Sequence, residues 1–249
     1  MNRAAFFASV RSRTSGIFGT SLSRAQVEGC EAILDEGQKR GMQLEQLAYV
    51  LATAFHETAH TMQPVRETLA KSDSAAITAL DRAYAAGKLS WVSKPYWRKD
   101  ADGKAWFGRG LVQITHKDNY AKFDLSDDPS KALEMPTAIR VLFDGMEKGM
   151  FTGKKLAQYI TPLAVDYVGA RRIVNGTDKA KQIAGYALAF EKALREAKYL
   201  AVAPQPRPTI PPEPAKPAPP VVIDKANGKT DWLANLLNAI IAILKGGKK

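Results

Sequence analysis

Two glutamates, Glu57 and Glu67, are the side chains whose type and spacing point to acid–base chemistry. Glu57 lies near the end of 44–60, where apolar residues recur at the three- and four-residue spacing of a buried helical stripe. It falls at the flank of that stripe, where partial burial would raise the pKa of a carboxyl group, although a solvated surface charge is the common alternative. We predict that Pro64 ends the helix and turns the chain, so that Glu67 faces Glu57 from a more solvated position. Two carboxyl groups in different environments are what glycosidic bond cleavage requires.

The same segment offers a second interpretation, because residues His56 to His60 match the pattern H-E-x-x-H. In that pattern two histidines on one helical face bind zinc and the glutamate acts as a base. A third ligand is needed, but Gln63 and Arg66 stand where the extended pattern has glycine and histidine, and the remaining histidine is His116. A zinc metalloprotease is therefore the alternative from another enzyme class. Our main prediction includes no metal and no other cofactor.

Residues 88–110 form a candidate substrate loop, because they lack helical periodicity and are rich in aromatic, glycine and charged residues. Flat aromatic rings pack against the C–H faces of sugars. We expect at least two of the rings to be core residues, and the candidates are Trp91, Tyr96, Trp97, Trp106 and Phe107. Gly108 allows close backbone approach. The next residues, 111–115, alternate in polarity, which predicts a short strand with Gln113 and Thr115 on one side.

The other patterns are mainly helical, with no internal repeat. Ser23 begins one helix as part of a capping box, and Ser72 or Asp73 caps another. Thr177 or Asp178 is placed to cap the last helix before residue 200. Further helical segments are predicted near residues 4–10, 116–124, 136–149, 153–160 and 178–200.

The composition restricts the class of protein and its partners. The 249 residues allow one sizeable domain with an appendage, and the net charge of +11 favours an anionic polymer or surface as partner. The chain contains no zinc-finger or RNA-binding signature, so we predict no nucleic acid partner. Cys30 is the single cysteine and lies on an apolar helical stripe, which favours a buried residue over a nucleophile. Arg11 and Arg13 interrupt the apolar N-terminal run, so we predict no signal peptide.

The C-terminal part differs in composition from the rest. Nine prolines between Pro204 and Pro220 predict an extended linker over residues 204–222. Residues 223–249 are predicted to contain an amphipathic, cationic helix that is too short to span a bilayer. Contact of residues 231–249 with a membrane surface is the predicted role. Docking on the preceding domain and self-association through the apolar face are the alternatives.

Four segments together resemble glycoside hydrolase family 19, and specifically its bacteriophage endolysin branch. They are AFHETAH, QPVRE, FGRGLVQITHKDNY and RRIVNG, which span Ala54–Gly176. The third is the longest and most specific, and the general run of the chain is similar up to about Leu200. The resemblance implies a mainly α, two-lobed, lysozyme-like fold with a central cleft and at most a short strand or hairpin. Residues 1–203 would form this catalytic domain.

The resemblance also implies roles for individual residues. The family cleaves β-1,4 links to N-acetylglucosamine-type sugars with inversion and without a metal. Glu57 matches the proton donor, Glu67 matches the carboxylate that activates water, and Thr115 matches the hydroxyl that holds this water. Other predicted substrate contacts are Gln113, Asn119, Asn175, Tyr96, Trp106, Phe107 and Arg172. Either Arg171 or Arg172 can pair with a catalytic glutamate, and the sequence leaves that choice open.

Two departures bear on the substrate. Plant chitinases of the family contain several disulfides and have an arginine after the Asn-Gly turn, where this chain offers Lys181 or Gln182. Both differences favour the peptidoglycan-cleaving branch. The sequence therefore predicts an endolysin, an N-acetylmuramidase that hydrolyses peptidoglycan glycan strands for host cell lysis. It would be made in the host cytoplasm and act in the periplasm or cell wall. A chitinase and a non-catalytic wall-binding module are the alternatives.

Overall fold

The computed structural model describes residues 1–201, which form seven α-helices and one small sheet. The predicted mainly α class is confirmed. The helices are α1 (Arg3–Val10), α2 (Arg24–Lys39), α3 (Leu44–Glu57), α4 (Asp73–Ala85), α5 (Lys117–Ala121), α6 (Met135–Lys148) and α7 (Ala180–Glu196). The strands β1 (Val65–Arg66) and β2 (Arg109–Gly110) are antiparallel, with Val65 opposite Gly110.

Helix α3 is the central element, because every residue from Leu47 to Glu57 is buried. Helix α7 packs along it, α1 packs on α7, and α2 and α6 contact α3 as well. Neighbours therefore also cover the flank on which the sequence places Glu57, and this residue is 2% exposed. The prediction of a half-solvated glutamate is wrong, because burial depends on helices that are distant in sequence. Cys30 is fully buried, as predicted.

The predicted start signals of two helices are confirmed. Ser23 caps α2 through a complete capping box with Gln26, and the side chain of Ser72 accepts the N–H of Ala75 at the start of α4. Both motifs work through contacts within three residues, which explains why the sequence identifies them.

Helix α3 ends at Glu57, three residues earlier than predicted and well before Pro64. The hydroxyl of Thr58 donates to the carbonyl of residue 54 and accepts the N–H of residue 62, which stabilises a turn at this point. Within the turn Ala59 and His60 have φ angles of 48° and 72°. Positive φ is sterically costly for residues other than glycine, so this turn is strained.

Three later predictions are wrong. Residues 111–115 form a tight turn and a single bridge instead of a strand, because Arg109 and Ile114 exchange both backbone hydrogen bonds across it. The alternating pattern has no meaning here, since polar and apolar residues of the turn are equally buried. In place of a helix over 153–160 there is one 3-10 turn, Leu156–Gln158. No side chain caps α7, whose preceding residue, Lys179, is left-handed.

Buried apolar residues of the described part form two clusters. The larger surrounds α3, and the smaller combines α4 with residues from Leu89 to Phe107. Within residues 1–201 no helix has the length and apolar character that crossing a bilayer requires. The predictions of a linker at 204–222, a helix within 223–249 and membrane contact at 231–249 lie outside the described residues.

Candidate active site

The short antiparallel pair of β1 and β2 holds Glu67 in place. This residue follows β1, and its N–H donates to the carbonyl of Gly108 at 2.7 Å. In return the N–H of Gly108 donates to Glu67 Oε2 at 2.6 Å, and the hydroxyl of Tyr96 donates to Oε1 at 2.9 Å. Glu67 is 0% exposed, so the prediction that it is the more solvated of the two glutamates is wrong.

Burial also determines the acidity of Glu67. Desolvation raises the pKa of its carboxyl group to about 7, although the donors Gly108 and Tyr96 and the charge of Arg109 act in the opposite direction. A carboxyl group with this pKa can exchange a proton close to neutral pH, which is the property that acid–base catalysis requires.

Three polar side chains converge on Gly108. A Cβ at this position would lie 2.9 Å from Gln113 Oε1, 3.3 Å from Thr115 Oγ1 and 3.4 Å from Glu67 Oε2. The structure therefore brings these three predicted residues together, and glycine leaves the space between them open. The amide of Gln113 is anchored because its Nε2 donates to the carbonyls of Val65 and Gly110. The hydroxyl of Thr115 donates to the carbonyl of Gln113, so towards the site it offers lone pairs as acceptors.

Arg109 is a buried residue whose role the sequence did not reveal. Its side chain donates to the carbonyl of Ala105 and the hydroxyl of Tyr120, and it forms an ion pair with Asp73 at 2.7 Å. The guanidinium carbon also lies 3.6 Å from the ring centroid of Phe107. These contacts fix β2, which pairs with the strand that precedes Glu67. The one sequence signal of a buried, hydrogen-bonded arginine at this position is its place between two glycines in an apolar segment.

Glu57 belongs to a second polar group, in which Arg171 is its partner. Arg171 Nη1 lies 2.6 Å from Glu57 Oε1, and both side chains are almost fully buried. Arg171 Nε also donates to the backbone carbonyl of Asp178. The choice between two arginines is therefore decided for Arg171, and Arg172 is exposed. Arg171 lies in a 3-10 turn, Gly169–Ile173, that faces the end of α3.

Several buried atoms around this ion pair have no hydrogen-bond partner in the described residues. They are Glu57 Oε2, Arg171 Nη2, His56 Nε2, Asn175 Nδ2 and Asp178 Oδ2. Each unsatisfied buried polar atom costs about 1–3 kcal/mol, so their concentration at one place favours a polar ligand or water there. Burial lowers the pKa of His56 to about 4, which keeps its ring neutral at neutral pH.

The geometry of the H-E-x-x-H segment differs from that of a zinc-binding helix. Helix α3 ends one residue after His56, and His60 lies beyond it with its ring stacked on Phe55 at 4.0 Å. Two histidines need a continuous helix to share one face at this spacing. Within residues 1–201 no group of three histidine, cysteine, aspartate or glutamate side chains is arranged to hold a metal ion.

A cleft of about 640 Å³, which we call the basic cleft, is lined in part by Tyr96, the residue whose hydroxyl donates to Glu67. Its lining includes Trp91, Lys94, Tyr96, Lys99, Trp106 and Lys117. Three predicted aromatic residues therefore line this cleft, whereas Trp97 and Phe107 are 0% exposed in the smaller cluster. The prediction that Phe107 contacts a saccharide is wrong, because its ring packs in the smaller apolar cluster and against the guanidinium of Arg109.

The other predicted contact residues are divided between the two groups. Asn119 supports Thr115 from behind, because its Nδ2 donates to the carbonyl of Thr115 at 2.8 Å. Asn175 adjoins Arg171, to whose carbonyl it donates its backbone N–H. Comparisons of this chain with protein-family models, with curated proteins and with solved structures give no match.

Proposed function

We propose that this chain is a glycoside hydrolase that cleaves β-1,4 bonds in the glycan strands of bacterial peptidoglycan. It would be an inverting N-acetylmuramidase with a two-lobed, lysozyme-like fold, similar to phage endolysins of glycoside hydrolase family 19. The observation that carries the proposal is a pair of buried glutamates with separate polar partners. Glu57 is held by Arg171, and Glu67 is held by Gly108 and Tyr96.

In the proposed mechanism Glu57 protonates the leaving oxygen and Glu67 takes a proton from the attacking water. Inversion needs the two carboxyl groups about 6.5–9.5 Å apart, with the water on the far face of the sugar ring. A water that donates one hydrogen to Glu67 and the other to Thr115 Oγ1 has a lone pair free for the anomeric carbon. Thr115 can accept this hydrogen because its own proton is directed to the carbonyl of Gln113.

The electrostatics of the two glutamates bear on these roles. A pKa of about 7 makes Glu67 a suitable base for a reaction near neutral pH. Glu57 must carry a proton to act as the donor, so we infer that bound substrate changes its contact with Arg171. The reverse assignment, with Glu67 as donor, is supported by the same raised pKa. The pH profile of a Tyr96 variant separates the two assignments.

The basic net charge of +11 is suited to approaching anionic wall polymers, an attraction that weakens with salt. We propose action on the wall after synthesis in the host cytoplasm, with residues 231–249 in contact with a membrane surface and with no nucleic acid partner.

Substituting Glu57 with glutamine tests the proposed function. Glutamine keeps an oxygen that accepts the Arg171 hydrogen bond but removes the proton donor and the counter-charge of Arg171, so circular dichroism must first establish that the variant is folded. Release of reducing ends from purified peptidoglycan should fall by about 10²–10⁴-fold. Glu45→Gln is the matched control on the same helix, because Glu45 pairs with Arg195 near the surface. A Glu57→Gln variant that cleaves at the wild-type rate would overturn the proposal.

Mass spectrometry of the products identifies the bond. A new reducing end at N-acetylmuramic acid is the expected result. A reducing end at N-acetylglucosamine, together with cleavage of chitin oligosaccharides, would establish the chitinase alternative. Binding to peptidoglycan without any new reducing end would indicate a wall-binding module.

A further inference from the structure

The basic cleft has a strongly unequal distribution of charge. Its lining includes four basic side chains and one acidic side chain, and these are Lys94, Arg98, Lys99, Lys117 and Asp100. The carboxylate of Asp100 already accepts hydrogen bonds from nearby groups, namely the indole N–H of Trp106 at 2.9 Å and two backbone N–H groups at 3.0 Å. The cleft therefore presents an excess of positive charge to whatever enters it.

Two of these lysines are available for a ligand. Arg98 pairs with Asp81 at 2.8 Å, and Lys117 lies 3.8 Å from Asp102. Lys94 and Lys99 are exposed and form no ion pair with any residue of the described part. Ammonium groups on flexible side chains bind carboxylates as point charges without requiring one fixed geometry.

The cleft also adjoins the candidate catalytic group. Tyr96 lines the cleft, and its hydroxyl donates to Glu67 Oε1 at 2.9 Å. A single residue, Tyr96, therefore connects the basic cleft to the carboxylate that is proposed to act on the glycan. The volume of about 640 Å³ lies within the range that holds a compact organic ligand, which is large enough for a few amino acid residues.

We propose that the basic cleft binds the carboxylates of the peptide stem attached to N-acetylmuramic acid, an inference that rests on the proposed function. N-Acetylglucosamine residues carry no charge, so a chitin strand gives Lys94 and Lys99 nothing to pair with. The peptide stem carries several carboxylates and is attached to the sugar through its lactyl group. Recognition of the stem would make this enzyme specific for intact peptidoglycan over uncharged polymers of the same linkage.

The test removes the two unpaired lysines from the full-length protein. In Lys94→Gln/Lys99→Gln the half-saturating concentration of intact peptidoglycan should rise by between about threefold and twentyfold, as expected for two exposed charge pairs. The control is Lys131→Gln/Lys154→Gln, which removes the same charge from two exposed lysines without ion pairs in residues 1–201. The control should have the same half-saturating concentration as wild type, because its two lost charges lie outside the basic cleft.

A second substrate separates the stem from the sugar. An amidase removes the stems and leaves glycan strands that still carry the lactyl carboxylate. On these strands the cleft variant and wild type should have equal activity. Equal weakening on both substrates would overturn the proposal in favour of lactyl or sugar binding. Unchanged activity of the cleft variant on intact peptidoglycan would overturn it as well.

Binding of a free stem tetrapeptide gives a readout that does not depend on catalysis. Trp91 and Trp106 line the cleft, so the peptide should change tryptophan fluorescence in wild type and in the control, but not in the cleft variant. A protein that binds the peptide but releases no reducing ends would refute the proposed function alone. If the protein cleaves peptidoglycan but its tryptophan fluorescence does not change when the peptide is added, the stem site alone is refuted.

Discussion

Replacing Tyr96 with phenylalanine tests how the protein controls the proton of Glu67. The hydroxyl of Tyr96 donates to Glu67 Oε1 at 2.9 Å, and this hydrogen bond opposes the rise in pKa that burial causes. A hydrogen bond to a charged group contributes about 1.5–3 kcal/mol, and one pKa unit corresponds to about 1.36 kcal/mol. With water replacing part of the lost bond, the pKa of Glu67 should rise by about one unit, from about 7 towards about 8.

The assay is the pH dependence of kcat/KM for release of reducing ends from purified peptidoglycan. If Glu67 is the base, activity appears as it loses its proton, so the acidic limb of the profile should move up by about one unit. At pH values below this limb the variant should be about tenfold slower than wild type, and at alkaline pH the two should converge. Tyr84→Phe is the control, because Tyr84, like Tyr96, packs against the smaller apolar cluster and its ring contacts Trp97.

The direction of the shift decides between the two assignments. Movement of the alkaline limb, with the acidic limb unchanged, would mean that Glu67 is the proton donor and Glu57 the base. A profile that does not move at either limb would refute the reasoning, because the Tyr96 hydrogen bond would then have no influence on the catalytic proton.

Three further results are expected. The pKa of Glu67 is higher in the folded than in the unfolded chain, so stability from its proton is present below the unfolded pKa and is lost as pH rises through about 7. In urea unfolding at pH 8, the free energy of unfolding of Glu67→Gln should therefore be up to about 3 kcal/mol higher than that of wild type. At pH 4 the two proteins should be equally stable. A Glu67→Gln variant that is less stable than wild type at pH 8 would contradict the raised pKa of the buried carboxyl group. Arg171→Met leaves Glu57 buried without its partner and should cost about 3–5 kcal/mol by the same measurement, with part regained in Arg171→Met/Glu57→Gln; no recovery would contradict the ion pair. Finally, His60→Ala and treatment with a metal chelator should each leave the rate within about twofold of wild type, since loss of activity in both would support the zinc metalloprotease.

The sequence predicted those features that depend on neighbouring residues. The Ser23 capping box involves residues three apart, and the mainly α class follows from helical periodicity along the chain. The burial of Glu57 was not predictable in the same way, because it depends on Arg171 and on the packing of α7 along α3, both of which come from the far end of the described chain. Its level of exposure is a tertiary property, and local pattern gave only the side of the helix.

Adjacent residues posed a second difficulty. Arg171 is buried against Glu57 while Arg172 is exposed, and Trp106 lines the basic cleft while Phe107 packs in the core. Each pair has equivalent chemistry, and the backbone direction at that point decides which member faces the site. In a 3-10 turn or an irregular loop no periodicity fixes this direction, so the sequence could not separate the two members.

The open space at Gly108 offers a way to block the proposed water site by a single substitution. A single methyl group there would lie 2.9 Å from an anchored amide oxygen and between the hydroxyl and carboxyl groups that would hold the attacking water. Gly108→Ala would thus push against Gln113 and obstruct the nucleophile without removing any ionisable group of the site. Such a variant would be a candidate for binding a glycan strand without cleaving it. Both glutamates would be retained in the complex, which could then be studied by crystallography or isolated in a pull-down experiment.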